Sequence, residues 1–349
     1  MPVRWRDAME RALYGPDGFF VSGSGPAAHF RTSVHASPAF AAALLRLVEQ
    51  VDAALDHPER LDVVDVGAGR GELLRALSAT LEAAATHSPP VGPGSTRPSP
   101  AAVVPLARRV RLTAVERAPR PDGLSATIGW VDDIPDGITG VLLATEWLDN
   151  VPLDVAVPAA DGWRYLLVDP ATGEETVSDR VDPADADWLD RWWPAPTRAE
   201  IGRARDDAWA DAVGHVDRGL ALAVDYGHLR AGRPVDGTLT GYRGGRQVPP
   251  VPDGSRDVTA HVAVDSVASA GAEVARCAYD LVSQREALRA LGADGGRPPL
   301  SLAASDPAGY VRALAAASAV AELTDPTGLG GHWWLRQPVG VDPGRFMAR

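Results

Sequence analysis

Asp65, Gly67, Gly69 and Gly71 form an Asp-x-Gly-x-Gly-x-Gly pattern within Val63-Val-Asp-Val-Gly-Ala-Gly-Arg-Gly-Glu-Leu-Leu74. Glycines at this spacing make a tight turn whose backbone a ligand can approach closely, because no Cβ stands in the way. The dinucleotide fingerprint, G-x-G-x-x-G, seats a pyrophosphate on a helix N-terminus. Here the third glycine comes one residue earlier, and Glu72 stands where a pyrophosphate would meet an anion. An acid at the strand end suits a ligand that carries positive charge and an amino group. S-adenosylmethionine, with its sulfonium and α-ammonium groups, is such a ligand. Gly67, Ala68, Gly69 and Gly71 are expected to contact it through the backbone, and Asp65 to orient its amino-acid end through the turn. A tight strand-to-helix turn with no ligand is the structural alternative.

Further acids extend the pattern. Glu116 ends an apolar run and is expected to accept both ribose hydroxyls, as acids do in dinucleotide folds. Asp132 and Asp133, in Gly129-Trp-Val-Asp-Asp-Ile134, lie where an adenine contact is expected, with Asp132 preferred and a turn the alternative. Glu146 and Asp149 follow another apolar run and are expected to face the cleft beside the methyl group, Glu146 touching the cofactor as well. Methyl transfer from a sulfonium is an in-line displacement, so positioning and proton removal are the main work. A carboxylate there can hold a guanidinium by two parallel hydrogen bonds, which makes Glu146 and Asp149 the catalytic candidates. A helix N-terminal acid pair is the alternative. Asp225, Tyr226, Asp257 and His261 are the substrate-side candidates.

These residues need a frame to bring them together. The spacing predicts a strand over 61–66 and a helix from about Gly71 to Ala85. Further strands are expected over 110–116, 140–146, 219–227, 273–282 and 331–337. Trp5–Leu13 reads as a short helix, and Ser37-Pro38 as the N-cap and first residue of a helix reaching Leu55. Helices are also expected from about Ala263 and from Gln284. Alternating strands and helices imply a doubly wound α/β sheet with ligands beyond the strand carboxyl ends. Residues 86–104, rich in Pro, Gly and Ser, read as a mobile surface loop. Trp163–Val168 and Thr176–Val181 suggest an inserted hairpin, followed by a helical stretch carrying Trp188, Trp192, Trp193 and Trp209. Those tryptophans read as buried anchors before groove residues. The expected division is 1–60 as a helical and loop cap over the cofactor site, 61–160 as the first part of the cofactor core, 161–215 as the insertion, and 216–349 as the rest of the core. A long substrate-side loop over 228–260 belongs to that last part.

Composition narrows the chemistry. The 349 residues contain no lysine, which removes Schiff-base chemistry, pyridoxal-phosphate attachment and the P-loop lysine. One cysteine, Cys277, excludes intrachain disulfides and thiolate zinc sites, and reads as a small core residue in a strand-like run. The histidines form no H-x-x-x-H pair, so no metal site is expected. A net charge of −12 argues against a nucleic-acid partner. No apolar run approaches a membrane span, and no apolar segment follows the first residues, so neither a membrane partner nor secretion is expected. A reducing, cytoplasmic setting follows as the default.

The motifs also occur in an order. Phe30-Arg-Thr-Ser-Val-His-Ala-Ser-Pro-Ala-Phe40 precedes Gly67-Ala-Gly-Arg-Gly71. Ala144-Thr-Glu-Trp-Leu-Asp-Asn-Val-Pro152, Val224-Asp-Tyr-Gly227, Gly237-Thr-Leu-Thr-Gly-Tyr-Arg-Gly-Gly-Arg246 and Arg256-Asp-Val-Thr-Ala-His-Val262 follow. In this order they resemble the MidA-like family of S-adenosylmethionine-dependent methyltransferases, over roughly residues 14 to 336. That family includes the mitochondrial arginine methyltransferase needed for respiratory complex I assembly. The resemblance implies a Rossmann-like, seven-stranded class I methyltransferase sheet with inserted elements over the cofactor cleft. It also implies S-adenosylmethionine as donor, S-adenosylhomocysteine as product, and a protein side chain, arginine among the candidates, as acceptor. The chain departs from the family pattern at His29, Thr145, Asn150 and Gly245, so the acceptor does not follow from the motifs. A small-molecule O- or N-methyltransferase and a non-catalytic cofactor-binding assembly factor are the other readings. The inserted segments provide material for a homodimer interface or a lid.

Overall fold

The structure, a computed structural model, describes residues 1–22, 33, 37–86, 104–195, 197–293, 295–342 and 344. The expected loop over 86–104 falls almost wholly outside the described residues, as does His29.

Seven strands form the central sheet: β1 (Leu61–Val66), β2 (Val110–Val115), β3 (Ile128–Val131), β4 (Ile138–Thr145), β5 (Val216–Asp225), β6 (Asp280–Ser283) and β7 (Trp333–Val339). Their order is β6-β7-β5-β4-β1-β2-β3. The five from β3 to β5 run parallel, and β7 is antiparallel to both β5 and β6. All six residues of β1 are buried, as a central parallel strand covered on both faces requires. Successive side chains divide between two cores: Val63, Val141, Leu143, Leu220 and Leu222 on one face, Val64, Leu142, Ala221 and Ala223 on the other. This period of two is the pleat itself.

Helices cover both faces. On the first lie α1 (Pro38–Ala54) and α2 (Glu72–Thr86), with Ala287, Leu288, Val320 and Leu323 of later helices completing the layer. The Ser37 side chain caps α1 by accepting from the Ala39 amide at 3.1 Å, with Pro38 opening the helix. On the second face lie α3 (Arg203–Gly214) and α4 (Val264–Ala275), anchored by Trp209, Ala212, Val213, Val264 and Val267. The chain order reverses between β1 and β4, with β2 and β3 on one side and β4 and β5 on the other. That reversal opens a crevice at the strand carboxyl ends.

A second, five-stranded sheet is built from Val3–Arg4, Asp154–Ala159, Gly162–Val168, Glu175–Arg180 and Ala199–Ile201. The helix Trp5–Tyr14 packs on it through Trp5, Met9 and Leu13. The expected hairpin is present, Leu166 pairing with Val177 and Leu167 with Thr176. Asp154–Ala159, which the sequence reading passed over, pairs with Gly162–Val168 and enlarges the hairpin to a sheet. Trp188, Trp193 and Trp209 are buried anchors, and none of the four tryptophans lies on the cavity described below.

Two expectations are corrected. The strand predicted over 273–282 is confined to Asp280–Ser283, because α4 continues to Ala275 and ends where Arg276 turns left-handed (φ 52°). Cys277 therefore lies in the connection, half-buried, and is not a core residue. The segment over 228–260 is not one loop. Thr240–Arg243 pairs antiparallel with Arg246–Val248 and with Asp257–Thr259, a small sheet whose alternation is too short to stand out among glycines and prolines. No helix among the described residues is long and apolar enough to cross a membrane.

Candidate functional site

A cavity of about 560 Å³ opens at the carboxyl ends of β1, β2 and β4. Its floor is the glycine turn. Gly67 and Gly69 hold φ of 70° and 59°, left-handed values that a side chain disfavours. A Cβ on Gly67 would stand 2.6 Å from Trp147 Cδ1, so bare backbone is required where the turn passes under the tryptophan. The amides of Gly67 and Ala68 donate to the Val115 carbonyl at 3.0 and 3.2 Å, fixing the turn to the end of β2. Gly67, Ala68 and Gly69 line the cavity, whereas Gly71 faces Leu124 and Trp130 beneath it. The third glycine thus serves packing.

Carboxylates ring the cavity. Asp65 is buried, and its Oδ1 has no hydrogen-bond partner among the described residues. Burial first, then the charges of Glu72 and Glu116, push its carboxyl up to about 8. Glu116 stands just beyond β2, its Oε2 accepting from the Gly69 amide at 2.9 Å and Oε1 from the Ala118 amide at 3.0 Å. Asp132 and Asp133 both line the wall, so placement does not choose between them. Glu10, Glu72, Glu146, Asp149 and Asp211 also contribute, against Arg117 and His215 as the only basic groups among the described residues. Arg117 is itself paired with Glu10 at 3.0 Å, and His215 with Asp136 at 2.7 Å. Such a wall favours a cationic ligand.

The opposite wall is Glu146–Pro152, leaving β4. Glu146 is non-glycine at φ 51° and is held there by its amide, which donates to the Val224 carbonyl at 2.8 Å. Its Oε1 accepts from the Ser33 amide at 2.8 Å. Such strain persists only where surroundings over-determine it, and it gathers at functional sites. Leu148–Asn150 then forms one 3₁₀ turn, with the amides of Leu148 and Asp149 donating to Asp225 Oδ2 at 3.0 and 3.2 Å. Asn150 Nδ2 donates to Asp257 Oδ1 at 2.8 Å. Asp225 and Asp257 are buried, and burial first, then the Asp149 charge, pushes both carboxyls well above their ordinary range.

The structure therefore brings Asp65, Gly67, Ala68, Gly69, Glu116, Asp132, Glu146 and Asp149 to one cavity. It sets Asp225, Tyr226 and Asp257 in a layer behind the Glu146–Pro152 wall. His261 is exposed outside that layer, its ring 5.1 Å from the Tyr226 ring.

Several wall residues escaped the sequence reading. Tyr14 donates from its hydroxyl to the Asn150 carbonyl at 3.3 Å, and Arg117 lies over the Tyr14 ring at 5.0 Å. Phe20 and Trp147 add apolar surface. Arg205 is almost wholly buried and donates to four carbonyls, those of Asp149, Val151, Ala260 and His261. It ties the wall to the segment that carries Thr259. A signal for it was present: Arg205, Trp209, Ala212 and Val213 share one face of α3 by helical spacing, so an arginine sits in an apolar stripe. Among the described residues no group of three or more His, Cys, Asp or Glu is arranged to hold a metal ion.

Residues 40–282 match the model of a family described as S-adenosyl-L-methionine-dependent methyltransferases, and the chain belongs to that family. It is an S-adenosylmethionine-dependent methyltransferase by that membership. Its fold is similar to the crystal structure of a candidate methyl transferase from Burkholderia thailandensis bound to S-adenosyl-homocysteine. That match has 24% identity and a TM-score of 0.75, and covers 100% of this chain and 91% of that one. A native crystal structure of an uncharacterized protein of the same superfamily and organism is similar at 24% identity and a TM-score of 0.73, covering 100% and 90% of the two chains. No curated protein matches the chain.

Proposed function

We propose that this enzyme moves the methyl group of S-adenosylmethionine onto a protein side chain, with arginine the acceptor that the site's chemistry favours. The observation that carries the reading is the acidic wall: Glu146 and Asp149 stand on the segment facing the glycine turn, within a cavity whose charged lining residues are mostly carboxylates. Gly67, Ala68, Gly69 and Asp65 would hold the amino-acid end of the cofactor, Glu116 its ribose and Asp132 its adenine. Gly71 would support the turn from below. The relative from Burkholderia thailandensis holds S-adenosyl-homocysteine, which supports the same use of the crevice here. The seven-stranded order with one antiparallel strand supports the class I methyltransferase arrangement, and the ordered motifs support the MidA-like branch.

Volume favours a side chain over a free metabolite as acceptor. A nucleoside joined to an amino acid fills much of a cavity of about 560 Å³, leaving room for a narrow group reaching in from outside. The second reading, a small N- or O-centred metabolite, is favoured by the apolar surface of Tyr14, Phe20 and Trp147. Calorimetric titration with S-adenosylmethionine, S-adenosylhomocysteine and NAD tests the cofactor; only the first two should bind. Incubation of a cell extract with methyl-labelled donor, followed by hydrolysis of its protein fraction, tests the acceptor. Label in methylarginine is expected. Label confined to the small-molecule fraction would overturn the protein reading, and no transfer despite tight binding would favour the assembly factor.

A further inference from the structure

The two oxygens of Asp149 are held differently. Oδ2 accepts from the Thr259 hydroxyl at 2.6 Å and from the Tyr226 hydroxyl, and those two hydroxyl oxygens lie 2.6 Å apart. Oδ1 is buried without a hydrogen-bond partner among the described residues, although Asp149 lines the cavity. A buried carboxylate oxygen left without a donor is costly, whereas a cation entering the cavity would supply one.

We propose that Tyr226 and Thr259 are positioning residues, which clamp one oxygen of Asp149 so that the other meets a cationic acceptor. The identity of the acceptor rests on the methyl-transfer reading; the clamp does not. Neither Tyr226 nor Thr259 lines the cavity, so both would act on it through Asp149.

The surroundings show why a clamp is needed. Asp225 at the end of β5 accepts the Asp149 amide, Asp257 stands one residue away through Asn150, and Glu146 precedes the turn. Arg205 from α3 bonds the Asp149 carbonyl, and Tyr14 reaches the Asn150 carbonyl from the N-terminal helix. The rings of His261 and His332 pack on Tyr226. Burial is the largest influence and raises the Asp149 carboxyl; the Thr259 and Tyr226 hydroxyls and the Arg205 charge pull it down, and the net result stays raised. Each donor removed should therefore raise it further.

The test is an infrared pH titration of the ligand-free protein from about pH 4 to about pH 9, spanning the range of perturbed carboxyls. The band of protonated Asp149 is the one missing from Asp149→Asn. Tyr226→Phe and Thr259→Val should each move its midpoint up by about one pH unit, the weight of one hydrogen bond to a charged group. A midpoint that stays in place removes the substituted residue from the proposal, and no movement in either variant overturns it. The second variant also guards against misfolding of the first. Ethylguanidinium chloride, titrated into protein saturated with S-adenosylhomocysteine, then reads the presented oxygen. Its affinity should fall on acidification, with a midpoint that follows the infrared one; no binding, or binding indifferent to pH, overturns the presentation of Asp149. Failure of S-adenosylhomocysteine itself to bind would instead sink the cofactor site, while the infrared comparison would still judge the clamp.

Discussion

The two walls of the cavity are made in different ways. The glycine-turn wall is backbone, contiguous in sequence, and fixed by main-chain bonds to the end of β2. The Glu146–Pro152 wall is a short 3₁₀ turn whose shape depends on buried side chains from β5, α3 and Asp257–Thr259. One wall needs an absence of side chains, and the other needs many of them, several ionisable and buried. A ligand whose shape is constant suits the first kind of wall; an acceptor to be aimed and deprotonated suits the second. Cofactor binding should therefore fail through steric changes on the first wall, and turnover through changes of charge on the second.

The largest expected effect strikes the first wall where it passes under Trp147 of the second. Gly67→Val places atoms against Trp147 and forces a left-handed valine, together about 3 kcal/mol of strain and overpacking, or roughly a hundredfold loss of S-adenosylhomocysteine affinity by calorimetry. On the second wall, Glu146→Gln should slow methyl transfer by about a hundredfold while changing that affinity less than about threefold. Equal losses in rate and affinity would merge the two walls into one function.

A smaller effect joins charge to the first wall. An ammonium group near Asp65 favours its ionised form, so binding releases a proton and affinity rises with pH. With the free carboxyl at about 8, affinity should rise by up to about tenfold per unit below that value and level off above it. Asp65→Asn should flatten this slope, which titrations in a series of buffers would read. The smallest effect sharpens the distinction between the glycines. Gly71→Ala meets the end of Leu124 at 3.1 Å and Trp130 at an ordinary 3.7 Å, and forces a left-handed alanine. It should cost about 1 kcal/mol in denaturant unfolding with S-adenosylhomocysteine affinity kept within about threefold.

The contrast between the walls also explains what sequence alone could reveal. The strand expected over 61–66 is Leu61–Val66, because a fully buried parallel strand writes itself as a continuous apolar run. The glycine turn was equally plain, since backbone conformation constrains residue type locally. Tyr226 and Asp257, by contrast, were noticed as polar residues near strand ends, but their place behind Asp149 depends on contacts across 77 and 107 residues. Thr259 went unremarked because nothing in its neighbours distinguishes a hydroxyl that holds a carboxylate from one that meets water. The strand assigned over 273–282 failed for a related reason: Glu273-Val-Ala-Arg-Cys-Ala has strand-like composition, yet α4 packs against β7 and draws its last turn through Ala275.

The left-handed backbone at Glu146 has a consequence for any attempt to improve this protein. Glycine at that position would relieve on the order of 1 kcal/mol of conformational strain while deleting the carboxylate to which the proposed function assigns methyl transfer. On the proposed role of Glu146, selection for thermal tolerance alone would reward a substitution that costs turnover wherever the relieved strain outweighs the lost bond to the Ser33 amide. Robustness and turnover are opposed at a single residue, so an engineer would have to select for both at once.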